Sequence, residues 1–146
     1  IKRYAMRVVL TGGPSITELE MAEDIETKCR FPIINLIGKT NLKQLLAILK
    51  RAKLVIAPDS GPAHMATAVS TPVIGLYACT NPDRARPYFC QEWVIDKYHE
   101  AVQEKHGKDT SQLPWGIRIR DPGTMERITV KDVTDKLDDF MQKKGN

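Results

Sequence analysis

Asp59-Ser60-Gly61-Pro62-Ala63-His64 places an acid, a hydroxyl, a glycine and a histidine between two apolar runs, Leu54-Val55-Ile56 and Val73-Ile74-Gly75-Leu76-Tyr77. That order reads as a strand, a polar turn, a short helix and a second strand. In α/β proteins ligands bind beyond the carboxyl ends of the strands, so the turn stands where a site belongs. Asp59 can accept hydrogen bonds from sugar hydroxyls. Ser60 can cap the helix or donate to a phosphate oxygen, and Gly61 lets a backbone come close. Pro62 suits the first helical turn, where its missing N–H costs nothing. The free N–H groups and positive dipole end of the helix form an anion site, and His64 adds a donor to it. The structural alternative is a capped helix with a buried, satisfied histidine. The combination of residue types favours ligand binding.

Other candidates are weaker alone. Thr11-Gly12-Gly13-Pro14 is a glycine turn through which a backbone can approach a phosphate, although Gly12 and Gly13 also suit a plain tight turn. Glu18 completes a capping box with Ser15, and a carboxylate there can also hold a ribose diol. Gly38-Lys39-Thr40 looks like the end of a P-loop, but Ile33 stands where the motif needs its first glycine. Thr40 or Asn41 is then expected to cap the next helix, while Lys39 stays within reach of a ligand. Thr80 and Asn81 follow the strand after Asp59 and are placed to touch the same ligand. Arg84 and Arg86 can meet a phosphate or carboxylate, or simply face water.

These residues are carried by alternating strands and helices. Strands are expected at Met6–Leu10, Pro32–Ile37, Leu54–Ile56 and Val73–Tyr77. The helix after Ser15 is expected to bury Leu19, Ala22 and Ile25. The next places Leu42, Leu45, Leu46 and Leu49 on one face. Beyond Tyr88 the expectations are a strand at Trp93-Val94-Ile95, a helix over 97–105, a strand at Ile117-Arg118-Ile119, and a final helix at about 129–143 capped by Thr129. The alternation predicts an α/β, Rossmann-like parallel sheet flanked by helices, in a single domain over 1–146.

Composition narrows the class. The 146 residues suffice for one domain with a real core. Twenty-two Lys and Arg against 18 Asp and Glu leave a charge of +4, which suits anionic partners or a solvated surface. The basic residues are scattered without an aromatic platform, which argues against nucleic acid. Cys29, Cys79 and Cys90 show no metal-ligand spacing, and neither do His99 and His106, so no metal is assigned. Three unpaired-looking cysteines suggest a reducing, cytoplasmic setting. No transmembrane-length apolar stretch or signal peptide is evident, and a start at Ile1 reads as a piece of a longer chain.

The motifs together resemble glycosyltransferase family 9, the heptosyltransferases of the lipopolysaccharide inner core. The likeness runs from Thr11-Gly12-Gly13-Pro14 through Gly38-Lys39-Thr40 and the leucine helix. It continues through Asp59-Ser60-Gly61-Pro62-x-His64-x-Ala66, Pro72-Val73-Ile74-Gly75-Leu76-Tyr77, Thr80-x-Pro82 and Pro87-Tyr88, with an echo in Met125-Glu126-Arg127-Ile128-Thr129. Ala78-Cys79 departs from the Gly-Pro usual in the family.

The resemblance implies the carboxyl-terminal half of a GT-B enzyme that binds ADP-heptose without a metal or other cofactor. It implies Asp59 on the donor heptose, Ser60, Gly61 and His64 near the pyrophosphate, and Glu18 on the ribose. It also implies an inverting reaction whose base lies in an amino-terminal domain, so no catalytic base is expected among these residues and the segment alone is expected to be inactive. The acceptor would be the lipopolysaccharide core, reached at the inner face of the cytoplasmic membrane. The alternatives are a GT-B domain for another nucleotide sugar and a non-catalytic nucleotide-binding module.

Overall fold

The computed structural model describes residues 4–145. Two compact units make up the chain, one ending at Ala47 and one starting at Ile48.

In the first unit, strands β1 (Val8–Leu10) and β2 (Ile33–Asn35) pair in parallel, Val9 opposite Ile34. Helix α1 (Ile16–Lys28) connects them. Both strands are shorter than the apolar runs suggest. Ser15 caps α1, its hydroxyl accepting from the Glu18 N–H at 3.3 Å and donating to Glu18 Oε2 at 3.0 Å. Of the three residues expected to be buried on α1, Ala22 is, whereas Leu19 and Ile25 remain 45% and 41% exposed. A two-stranded sheet with three-residue strands is too small to cover a wide apolar stripe. Helix α2 (Leu42–Arg51) begins at Asn41, whose side chain accepts from the Gln44 N–H while Gln44 Oε1 accepts from the Asn41 N–H, both at 2.9 Å. Asn41, not Thr40, is the cap. On its leucine face Leu49 is buried and Leu42 is exposed.

The second unit is built on three parallel strands in the order β3 (Val55–Pro58), β4 (Val73–Tyr77), β5 (Val94–Asp96). Ile56 lies opposite Ile74, and Leu76 opposite Ile95. Helix α3 (Gly61–Ala68) joins β3 to β4 and buries Ala63, Ala66 and Thr67. These small side chains let it lie close to the strands. Between β4 and β5 the chain forms the single turn α4 (Pro82–Ala85) and a 3-10 turn at Gln91–Trp93, so Trp93 precedes the strand rather than belonging to it. Helix α5 (Tyr98–His106) follows, and Tyr98, Ala101 and Val102 pack with Ile119 in an apolar cluster. The expected strand at Ile117–Ile119 is a single antiparallel bridge between Arg118 and Thr80, with the Ile119 N–H donating to the Cys79 carbonyl at 3.0 Å.

Helix α6 (Val130–Gly145) starts at the expected cap, where Asp132 Oδ2 accepts from both the Thr129 N–H and its hydroxyl. Phe140 of α6 meets Trp93 edge-to-face at 5.2 Å. Truncating such a buried ring costs about 3–5 kcal/mol, so this contact fastens α6 to the sheet.

Candidate functional site

The carboxyl end of β3 delivers Asp59 and Ser60 to the start of α3. Asp59 keeps 16% of its side-chain surface exposed, and His64 Nε2 approaches Asp59 Oδ1 to 3.6 Å. His64 itself is 54% exposed, which removes the buried-histidine alternative. Ser60 occupies the cap position with extended backbone, but its hydroxyl turns back to donate to the Pro58 carbonyl at 3.0 Å. It does not cap α3. Among the described residues the Gly61 N–H has no acceptor, and an added Cβ at Gly61 would meet nothing within 4 Å. Pro62 takes the first turn, as its missing donor permits. The result is an open helix start with an acid and an imidazole beside it.

Beneath this turn lies Tyr77, fully buried at the end of β4. Its hydroxyl donates to the Ala85 carbonyl at 2.7 Å, holding α4 to the sheet. Burial, and then the negative charge of Asp59, push its phenol well above the ordinary tyrosine range. Thr80 and Asn81 continue from β4 and are both buried. Asn81 Oδ1 accepts from the Asp83 N–H at 2.9 Å and so caps α4. Between them and Tyr77, burial raises the Cys79 thiol. Arg86 lies 3.7 Å from Asp83.

At the end of β5, His99 Nδ1 meets Asp96 Oδ2 at 2.6 Å while its Nε2 lies 3.9 Å from Asp83 Oδ2. The reading of the sequence passed over Tyr77 and this Asp83–His99–Asp96 line. The Asp96-x-x-His99 spacing at a strand-to-helix junction is the signal that could have found the latter. Among the described residues no cluster of three or more His, Cys, Asp or Glu is arranged to hold a metal ion.

The remaining candidates lie in the first unit, at the carboxyl ends of β1 and β2. The Glu18 carboxylate covers the glycine turn: a Cβ at Gly12 would stand 2.9 Å from Glu18 Oε1, and one at Gly13 2.9 Å from Oε2. The Gly38 N–H donates to the Gly12 carbonyl at 3.0 Å, and Gly38 adopts φ +69°. That left-handed turn explains this glycine without a P-loop. Lys39 Nζ donates to the Asn35 carbonyl at 3.1 Å from an exposed position. Gly12, Gly13 and Glu18 are therefore brought together, as are Asp59, Ser60, Gly61 and His64.

Parallel strands joined by helices, with an acid and an open helix start beyond a strand's carboxyl end, define an α/β fold of the kind that forms half of a GT-B enzyme. The glycosyltransferase family 9 (heptosyltransferase) profile matches residues 2–116, and the chain belongs to that family. It is 42% identical over 135 residues to the lipopolysaccharide core heptosyltransferase OpsX of Haemophilus influenzae, which covers 92% of this chain and 39% of that protein. Identity to lipopolysaccharide heptosyltransferase 3 of Escherichia coli is 40% over 116 residues, 77% of this chain and 33% of that one. The chain thus spans about two-fifths or less of the curated relatives it matches. A family 9 glycosyltransferase from Veillonella parvula superposes with a TM-score of 0.61 at 26% identity, over 92% of this chain and 37% of the other.

Proposed function

We propose that this chain is the donor-binding part of an inverting heptosyltransferase that takes ADP-heptose and transfers heptose to the lipopolysaccharide inner core. The observation that carries the reading is the turn Asp59–His64, open at the carboxyl end of β3 in a family 9 chain. In this reading Asp59 accepts from hydroxyls of the donor heptose. The Gly61 N–H, the Ser60 hydroxyl and His64 serve the pyrophosphate. Thr80 and Asn81 complete the contacts in the second unit; in the first unit, taken by itself, Glu18 beside the Gly12–Gly13 turn is the candidate acceptor for a ribose diol and Lys39 a candidate donor.

An acceptor hydroxyl attacks the anomeric carbon as the bond to the ADP oxygen breaks, and configuration inverts. The acceptor's proton passes to a base that these residues do not provide. Charge developing on the departing diphosphate is met by helix N–H groups and by His64, an electrostatic stabilisation that needs no metal. The acceptor is lipid-linked, which places the work at the inner face of the cytoplasmic membrane.

Titration with ADP-heptose, ADP and UDP-sugars, followed through the amide resonances of residues 59–64, tests the assignment. ADP-heptose and ADP should shift these amides and UDP-sugars should not. If a UDP-sugar moves them while ADP-heptose leaves them in place, the chain is a GT-B domain for another nucleotide sugar.

A further inference from the structure

The opposite edge of the second unit, where the strands begin, has a chemistry the donor reading does not use. Tyr88 and Phe89 project there, 75% and 72% exposed, with rings edge-to-face at 5.0 Å. Pro87 behind them is fully buried, so the pair stands on a fixed base. Phe89 lines a shallow crease with Thr71 and Pro72, just ahead of β4. The Thr71 hydroxyl donates to the Leu49 carbonyl at 2.8 Å, and the Pro72 carbonyl accepts from the Val55 N–H at 2.9 Å. These two bonds tie the end of α2 and its connection to β3 to the residues that line the crease with Phe89.

That connection carries Lys50, Arg51 and Lys53, all exposed. None of the three forms an ion pair among the described residues. Glu92, in the 3-10 turn before β5, is already met by Lys143 at 3.1 Å.

We infer that this edge docks on an anionic lipid surface, with Tyr88 and Phe89 entering the headgroup boundary and Lys50, Arg51 and Lys53 meeting lipid phosphates. Exposed aromatic side chains settle at the membrane–water interface, and clustered cations beside them are drawn to anionic headgroups. A single-stranded nucleic acid is a poorer occupant. Stacking requires rings offered face-on in series, whereas these two stand 84° to one another. Docking by this edge leaves the Asp59 turn, at the other end of the strands, open to solvent.

The full-length protein carrying this sequence should co-sediment with phosphatidylcholine vesicles containing phosphatidylglycerol far more than with phosphatidylcholine alone, and salt should release it. The combined variant K50Q/R51Q/K53Q should lower the partition coefficient into anionic vesicles at least about tenfold. The variant Y88S/F89S should lower it too while retaining the salt dependence. Both sets of side chains are exposed, and unchanged circular dichroism and melting temperature would confirm intact folds. Equal partition into neutral and anionic vesicles overturns the inference, as does wild-type binding by both variants. No nucleotide sugar is present in the experiment, so its outcome is independent of the donor assignment.

Discussion

His64 Nε2 stands 3.6 Å from Asp59 Oδ1 across the first turn of α3, with both side chains reaching solvent. The proposed function sets both on one ligand, the acid accepting from a sugar and the imidazole donating to a phosphate. Asp59→Ala in the full-length enzyme should lower turnover at least tenfold, about 1.4 kcal/mol of barrier, with circular dichroism unchanged. His64→Ala should weaken ADP binding as well, because the proposed function assigns it to the diphosphate. Steady-state kinetics with calorimetric ADP titration separates the two, and wild-type kinetics for Asp59→Ala would return that residue to a structural role.

The Glu18 carboxylate and the Gly12–Gly13 turn make a second test. A methyl group at Gly12 would stand 2.9 Å from Glu18 Oε1, the far end of a flexible side chain. Gly12→Ala should therefore displace the carboxylate and leave the melting temperature near that of the wild type. If Glu18 holds the ribose, Gly12→Ala and Glu18→Gln should weaken adenosine diphosphate binding alike, each by about tenfold, the scale of one hydrogen bond to a charged group. Unaltered affinity in both would leave Glu18 only its place beside Ser15.

Gly75 offers no such freedom. An added Cβ would lie 2.7 Å from Tyr77 Cε2 and 3.4 Å from Pro87 Cδ, both on fully buried side chains. Gly75→Ala should destabilise the fold by about 1–3 kcal/mol, the usual cost of overpacking. Urea denaturation measures it, and a loss below the experimental error would contradict the packing described for β4.

Tyr77→Phe keeps the ring but deletes the bond to the Ala85 carbonyl, and should cost about 1 kcal/mol at neutral pH. The pH dependence has a definite sign. The folded state holds the phenol proton more tightly than the unfolded chain, through burial first and Asp59 second. Tyr77's contribution is therefore intact below about pH 10, the unfolded value, and is lost as the pH rises above it. Denaturation midpoints should fall more steeply above that pH in the wild type than in Tyr77→Phe. Parallel curves would contradict the assignment.

Much of this protein could be read from its residues in order. The strand–helix alternation, the caps at Ser15 and Thr129, and the turn from Asp59 to His64 all depend on residues within a turn or two of one another. Hydrophobic period and capping chemistry act over that range, so the chain itself determines them. The direction of the Ser60 hydroxyl was harder, because the Pro58 carbonyl and the helix N–H groups compete for it locally.

The tertiary structure decided which distant residues share a neighbourhood. Tyr77 comes beneath Asp59, and His99 comes between Asp96 and Asp83, because parallel crossovers return each strand beside the last. The Thr71–Leu49 bond brings the end of α2 to the start of β4, although the two are far apart in the chain. Such meetings depend on strand register and helix packing, which are set by the burial of the whole unit and by no short stretch of residues.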